Sequence, residues 1–245
     1  MNNDSLSDDI RPGCIDIWNA FMVKNAQFVL GSDMPICPCT AKSTPNKLIS
    51  YVEAKHIHTK MSKENKNYHI DAYVHFYIDD QKFDGRKSSI WSYPDKALEI
   101  LRHYSGIISP DFSTFSDFPD ALKRYNTYRS RAFGYWISSE GIPVINNVRW
   151  GTEETWDYCF DGIPYNSMVA IGTVASKLRL LKYRPTFKAG LNELVRVLHP
   201  HTIIVYGSSN YSFFDELKNQ GIIIASYASD TNLAFSTKKG GVKHE

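Results

Sequence analysis

Asp80, Asp111 and Arg149 are the residues of this chain whose types most invite a chemical role. Two carboxylates can divide general acid and general base work between them, or hold a hard cation such as magnesium. An arginine offers a planar fork of N–H donors that fits a carboxylate or a phosphate. Trp150, directly after the arginine, could stack on a base or a sugar. Ser113, Thr173, Tyr206 and Ser208 supply hydroxyls for substrate binding, and Gly172 and Gly207 would let a ligand approach backbone N–H groups closely. None of these residues belongs to a named catalytic motif. No G-x-G-x-x-G follows a strand, and neither G-x-x-x-x-G-K-[ST] nor G-x-S-x-G occurs, so dinucleotide, P-loop and α/β-hydrolase chemistry have no support.

Other reactive types read as structural. Cys37-Pro-Cys39 with His56 and His58 has the ingredients of a zinc site, but its C-x-C spacing is tight and histidines two apart share no helix face, so no metal site is assigned. Lys55, Lys60, Lys63 and Lys66 fit a solvated face. Arg129 and Arg131 fit surface salt bridges on a helix. Cys159 has no histidine close in sequence and reads as buried filler.

What unites the candidate residues is their place after apolar runs. DAYVHFYI (71–78) reads as a strand and is followed by Asp79 and Asp80. GIIS (106–109) precedes Asp111, IPVINNV (142–148) precedes Arg149 and Trp150, and SMVAIG (167–172) ends at Gly172. TIIVYG (202–207) and GIIIAS (221–226) complete the set. Helical stretches alternate with these runs: 94–103 opened by Pro94, 119–139 closed by Gly141, a start at Thr152-Glu153-Glu154, 185–198, and 213–219. Residues 14–30 and 48–56 also read as helices, and KMSKENKNYH (60–69) as a solvated loop. Short, continuously apolar, β-branched strands between helices belong to a parallel sheet buried on both faces. Six or seven strands are expected, in a closed or incomplete (β/α) barrel, with an open doubly wound sheet as the alternative. In either, ligands bind at the carboxyl ends of the strands, which is where the candidate residues fall.

Bulk properties set the frame. At 245 residues, 42 % apolar and 22 % charged, one α/β domain over 13–228 can bury a full core, with polar tails at 1–12 and 229–245 expected to be disordered. The net charge of +2 is too small to argue nucleic-acid binding from bulk charge. The chain opens MNNDSLSDDIRPG without an apolar run, and no stretch approaches a membrane span, so a cytoplasmic protein with reduced thiols and no membrane partner is expected.

The segments HFYIDD (75–80), GIISPDFS (106–113), YNTYRSRAFGYW (125–136), GIPVINNVRWG (141–151), YCFDGIPYNSMVAIGT (158–173) and IIVYGS (203–208) together resemble the bacterial and phage family called domain of unknown function 4417, DUF4417, over roughly 70–210. The resemblance implies a phage or mobile-element setting and no particular chemistry. Three functions stand open. The first is an enzyme acting on a phosphate- or sugar-bearing small molecule or nucleotide at the strand ends. The others are a non-catalytic nucleic-acid-binding accessory of a mobile element and a module that binds a host factor.

Overall fold

The computed structural model describes residues 15–229; the expected tails fall almost wholly outside them. Seven strands form one sheet: β1 Leu48–Ser50, β2 Ile70–His75, β3 Tyr104–Ile108, β4 Val144–Asn147, β5 Met168–Gly172, β6 Thr202–Tyr206 and β7 Ile223–Tyr227. Every neighbouring pair is parallel, and the order in space is the order in sequence, β1 to β7. Each crossover therefore steps one strand in the same direction. Right-handed connections then lay all the helices on one face. These are α1 Tyr51–Glu64, α2 Pro94–Leu101, α3 Asp120–Ser139, the single turn α4 Trp156–Cys159, α5 Arg184–Leu198 and α6 Ser212–Asn219.

The packing follows that arrangement. Outward strand residues meet the helices in two clusters, one joining Val74 and Ile107 with Phe133 and Leu101, the other Val169 and Ile203 with Leu191 and Phe214. The opposite face carries its own apolar cluster, Tyr73, Ile108, Ile145, Met168, Ala170 and Ile204, and among the described residues no helix contributes to it. On a flat sheet β2 and β6 would lie four strand spacings apart, about 19 Å. Yet the rings of His75 on β2 and Tyr206 on β6 are 4.3 Å apart. The sheet thus curls until its inner face fills with its own side chains, as in a barrel. β1 and β7 do not pair, so the barrel is incomplete and the sheet open; Tyr227 Oη at the end of β7 donates to the Pro45 carbonyl before β1 at 2.5 Å. The segment 37–41 underlies β4, where the backbone N–H groups of Thr40 and Ala41 donate to Val144 O and Asn146 Nδ2 donates to Cys37 O.

Two expected elements differ. Residues 14–30 form no helix in the part described. They hold only a 3-10 turn, Ala20–Val23, and an isolated bridge between Phe28 and Pro35. Asn19 and Asn25 there adopt positive φ, which breaks helical continuity. The helix expected at 48–56 instead begins as strand β1. Ser50 then ends the strand and caps α1, its hydroxyl accepting from Glu53 N at 3.3 Å. The run expected as a loop, 60–69, is α1 as far as Glu64, because Lys and Glu sustain a helix once it is nucleated.

Candidate functional site

Each wall of the site is the first few residues after a strand. After β2 the chain runs through Tyr77 to a 3-10 turn, Asp80–Lys82, opened by Asp79, whose carboxylate accepts from Gln81 N at 3.1 Å. After β3 it reaches Asp111 and Ser113, and after β4 Arg149 and Trp150. These meet the ends of β5 and β6 around one cleft of about 750 Å³, whose lining includes Asp80, Asp111, Ser113, Arg149, Trp150, Gly172 and Tyr206. Pockets of roughly 300–1,000 Å³ hold small-molecule ligands.

A chain of hydrogen bonds crosses the cleft. Tyr77 Oη donates to Asn147 Oδ1 at 2.9 Å, Asn147 Nδ2 donates to Asp111 Oδ1 at 2.9 Å, and Arg149 Nη1 donates to Asp111 Oδ2 at 2.7 Å. The pairing engages one nitrogen of a guanidinium that has five N–H groups. Asp80 is held separately, its two oxygens accepting from Ser113 Oγ at 2.9 Å and Ser113 N at 3.1 Å. Ser113 is itself fixed by Asn126 of α3, whose Nδ2 donates to the Ser113 carbonyl. Burial raises the Asp80 carboxyl above its usual range; the Ser113 hydrogen bonds oppose this, the Asp111 charge adds to it, and Arg149 opposes it. The two carboxyls therefore sit in unlike surroundings, Asp111 tied to a cation and Asp80 desolvated. Carboxyls in such different environments can divide acid and base roles.

The floor is aromatic. Tyr77 and Tyr206 stack with centroids 5.1 Å apart. A Cβ on Gly172 would come within 2.9 Å of the Tyr77 ring, so glycine there makes room for the phenol. Burial, with the Asp111 charge, pushes Tyr77 well above its usual pKa and keeps it a phenol. Below them His75 is fully buried. Its Nδ1 accepts from Tyr77 N at 3.2 Å, which places the proton on Nε2. Among the described residues that nitrogen has no hydrogen-bond partner, and burial lowers the imidazole to about 3. Trp150 packs 5.0 Å from Phe187 and lies directly over Gly190 of α5, where a Cβ would be 2.1 Å from the indole.

Three of the expected binding residues do not line the cleft. Thr173 N donates to Tyr206 O at 3.0 Å and Thr173 Oγ1 to Ser208 O at 3.0 Å. Gly207, at φ +116°, donates its N–H to Tyr227 O at 2.8 Å. Thr173, Gly207 and Ser208 lock the ends of β5, β6 and β7 together. Arg129 and Arg131 also depart from the surface role expected of them. Arg131 is 2 % exposed, and its guanidinium donates to the carbonyls of Asn147, Cys159 and Asp161, all at 3.0 Å. Arg129 pairs with Asp84 at 2.7 Å, largely buried against Phe112. Cys37 and Cys159 are buried thiols pushed up to about 12 by desolvation, so neither is a thiolate at neutral pH. Among the described residues no group of three His, Cys, Asp or Glu side chains could hold a metal ion, and no helix is long and apolar enough to cross a membrane.

Tyr77 and Asn147 are among the cleft residues that strand-end reasoning passed over. Asn147 did carry a signal, because a polar residue inside a buried strand needs partners.

Comparison with known proteins agrees with this architecture's reach along the chain. The family described as "Domain of unknown function (DUF4417)" matches residues 28–228. The Gene 1 protein of Mycobacterium phage L5 is 37 % identical over 134 residues, covering 55 % of this chain and 56 % of that protein. The Gene 1 protein of Mycobacterium phage D29 is 36 % identical over 138 residues, covering 56 % and 49 %. The chain thus spans about half the length of the curated relatives it matches. No solved structure matches it. With the family's pattern running through all seven strands and the cleft they frame, the chain belongs to the DUF4417 family.

Proposed function

We propose that this domain is an enzyme that binds a small phosphate-bearing molecule of nucleotide size in the cleft and acts on it by acid–base chemistry. The observation that carries the reading is convergence: Asp80, Asp111 and Arg149, the trailing residues of three successive parallel strands, line one cleft with Trp150. Arg149 supplies the anion contact, with Asp111 fixing the plane of its guanidinium. Trp150 offers an aromatic face to a base or sugar. Asp80, with its raised carboxyl, serves as the proton donor, positioned by Ser113.

The test is a thermal-shift screen of the protein against nucleotides and sugar phosphates, with and without magnesium, followed by product analysis on the ligands that stabilise it. A ligand at a hundred times its Kd raises stability by about 2.7 kcal/mol. Arg149→Ala is expected to lose the shift. Asp80→Asn is expected to keep it and lose turnover. A screen in which nothing stabilises the wild type, or a hit whose shift survives Arg149→Ala, overturns the reading.

A further inference from the structure

The wall of the cleft that follows β5 differs in charge from the others. Between Gly172 and α5 the chain reads TVASKLRLLKYR (173–184). Its two ends line the cleft through Val174 and Tyr183. Between them Lys177, Arg179 and Lys182 are exposed, and none has an ion-pair partner among the described residues. The ammonium groups of Lys177 and Lys182 lie 6.0 and 5.0 Å from the centroid of Tyr183, which brings both to the rim. The loop is pinned: Arg184 Nε donates to Leu178 O at 2.9 Å and Ser176 Oγ to Gly172 O at 3.1 Å. Across the cleft, on the loop after β3, Phe115 lines the cavity and is 52 % exposed. The loop after β4 carries the acidic pair Glu153 and Glu154, both exposed, which would repel an anion.

A single small phosphate needs only Arg149. Two cations at the rim and a third, Arg179, on the same exposed loop, with an exposed aromatic, Phe115, in the cleft lining, match a longer polyanion whose bases stack, and single-stranded nucleic acid is bound by that combination. We propose that the cleft takes the end of a single-stranded nucleic acid. The terminal nucleotide enters toward Arg149 and Trp150, and the adjoining phosphates run over Lys177, Arg179 and Lys182, away from Glu153 and Glu154. This rests on the phosphate-binding reading of the cleft given above and names its substrate class.

The experiment measures binding of the full chain to end-labelled single-stranded DNA and RNA of about twelve nucleotides by fluorescence anisotropy across a salt series. Nucleoside monophosphate binding, and binding to vesicles of phosphatidylcholine with phosphatidylserine, are measured beside it. The variants are Lys177→Gln/Arg179→Gln/Lys182→Gln, a charge-keeping Lys177→Arg/Lys182→Arg, and Arg149→Ala. The triple variant is expected to bind the oligonucleotide at least about ten-fold more weakly. Its plot of log K against log salt should be shallower by about 2, from three lost phosphate contacts at about 0.7 each. Its monophosphate binding should stay within about two-fold, and the charge-keeping variant should bind the strand as the wild type does. Monophosphate binding together with oligonucleotide binding that ignores the triple change overturns this proposal and leaves the cleft reading standing. Failure of both ligands removes both. Strand binding that ignores Arg149→Ala places nucleic acid elsewhere and overturns the proposal. Vesicle binding lost in the triple variant, with no strand binding, replaces it with a membrane surface.

Discussion

Asp80 and Asp111 share one cleft but not one environment, and the desolvated member, Asp80, yields a prediction. Because burial raises the Asp80 carboxyl, the unfolded chain gives up this proton at lower pH than the folded one, so stability falls as pH rises through that window. Asp80→Asn should therefore lessen the fall of stability with rising pH across the carboxylate range while removing activity, and an unchanged pH dependence would count against the desolvated carboxyl. His75 has the opposite sign. It titrates near 6.5 when unfolded and at about 3 when folded, so between these values only the unfolded chain gains the proton. Stability is full above about pH 6.5 and falls as pH drops, by up to about 1.4 kcal/mol per unit, or about 2 kcal/mol by pH 5. Urea melts from pH 7 to 5 should show this slope, and His75→Gln should flatten it by about one proton; an unchanged slope would mean that other groups carry it. At this scale the sequence was informative where a side chain ended a strand. Asp111 and Arg149 follow β3 and β4, and the fold rule sends such residues to one opening. It was silent on Tyr77, which reads as part of its strand. It misdirected at Thr173, whose neighbour Gly172 faces the cleft while Thr173 itself turns to the β6 end.

Elements place those side chains by contact as much as by direction. Gly190 of α5 leaves room for the Trp150 indole, so Gly190→Ala sets a helix gain of about 1 kcal/mol against a 2.1 Å clash. Overpacking of that kind costs about 1–3 kcal/mol. The variant should be less stable than wild type by urea denaturation and should bind ligand more weakly as Trp150 is displaced; a more stable variant would show that the indole has space to move. At the start of α1, Ser50→Ala should cost about 1 kcal/mol by losing the cap on Glu53 N. The apolar stripe Phe187, Leu191, Leu194 and Leu198 made α5 legible in advance, because its spacing fits a helix and nothing else. The true reach of α1 was not legible. It depends on where β1 stops, and β1 is three residues long and held mainly by pairing with β2.

For the whole molecule, the controlling fact is a parallel sheet wound in one direction and curled on itself without closing. Alternation of strands and helices announced the layers and the end of the sheet that holds the cleft. Closure was beyond it, because whether β7 meets β1 depends on accumulated curl and not on any local pattern. Curl is also what brings the end of β6 to the end of β2, stacking Tyr206 on Tyr77 beneath the cleft. The central claim is that this opening binds phosphate through Arg149. Isothermal titration of a nucleotide identified by the thermal screen, on wild type and Arg149→Ala at equal salt, tests it most directly. Loss of a charge-assisted contact of about 1.5–3 kcal/mol predicts roughly 10- to 150-fold weaker binding in the variant, with its fold intact. Equal affinity in the two proteins would contradict it.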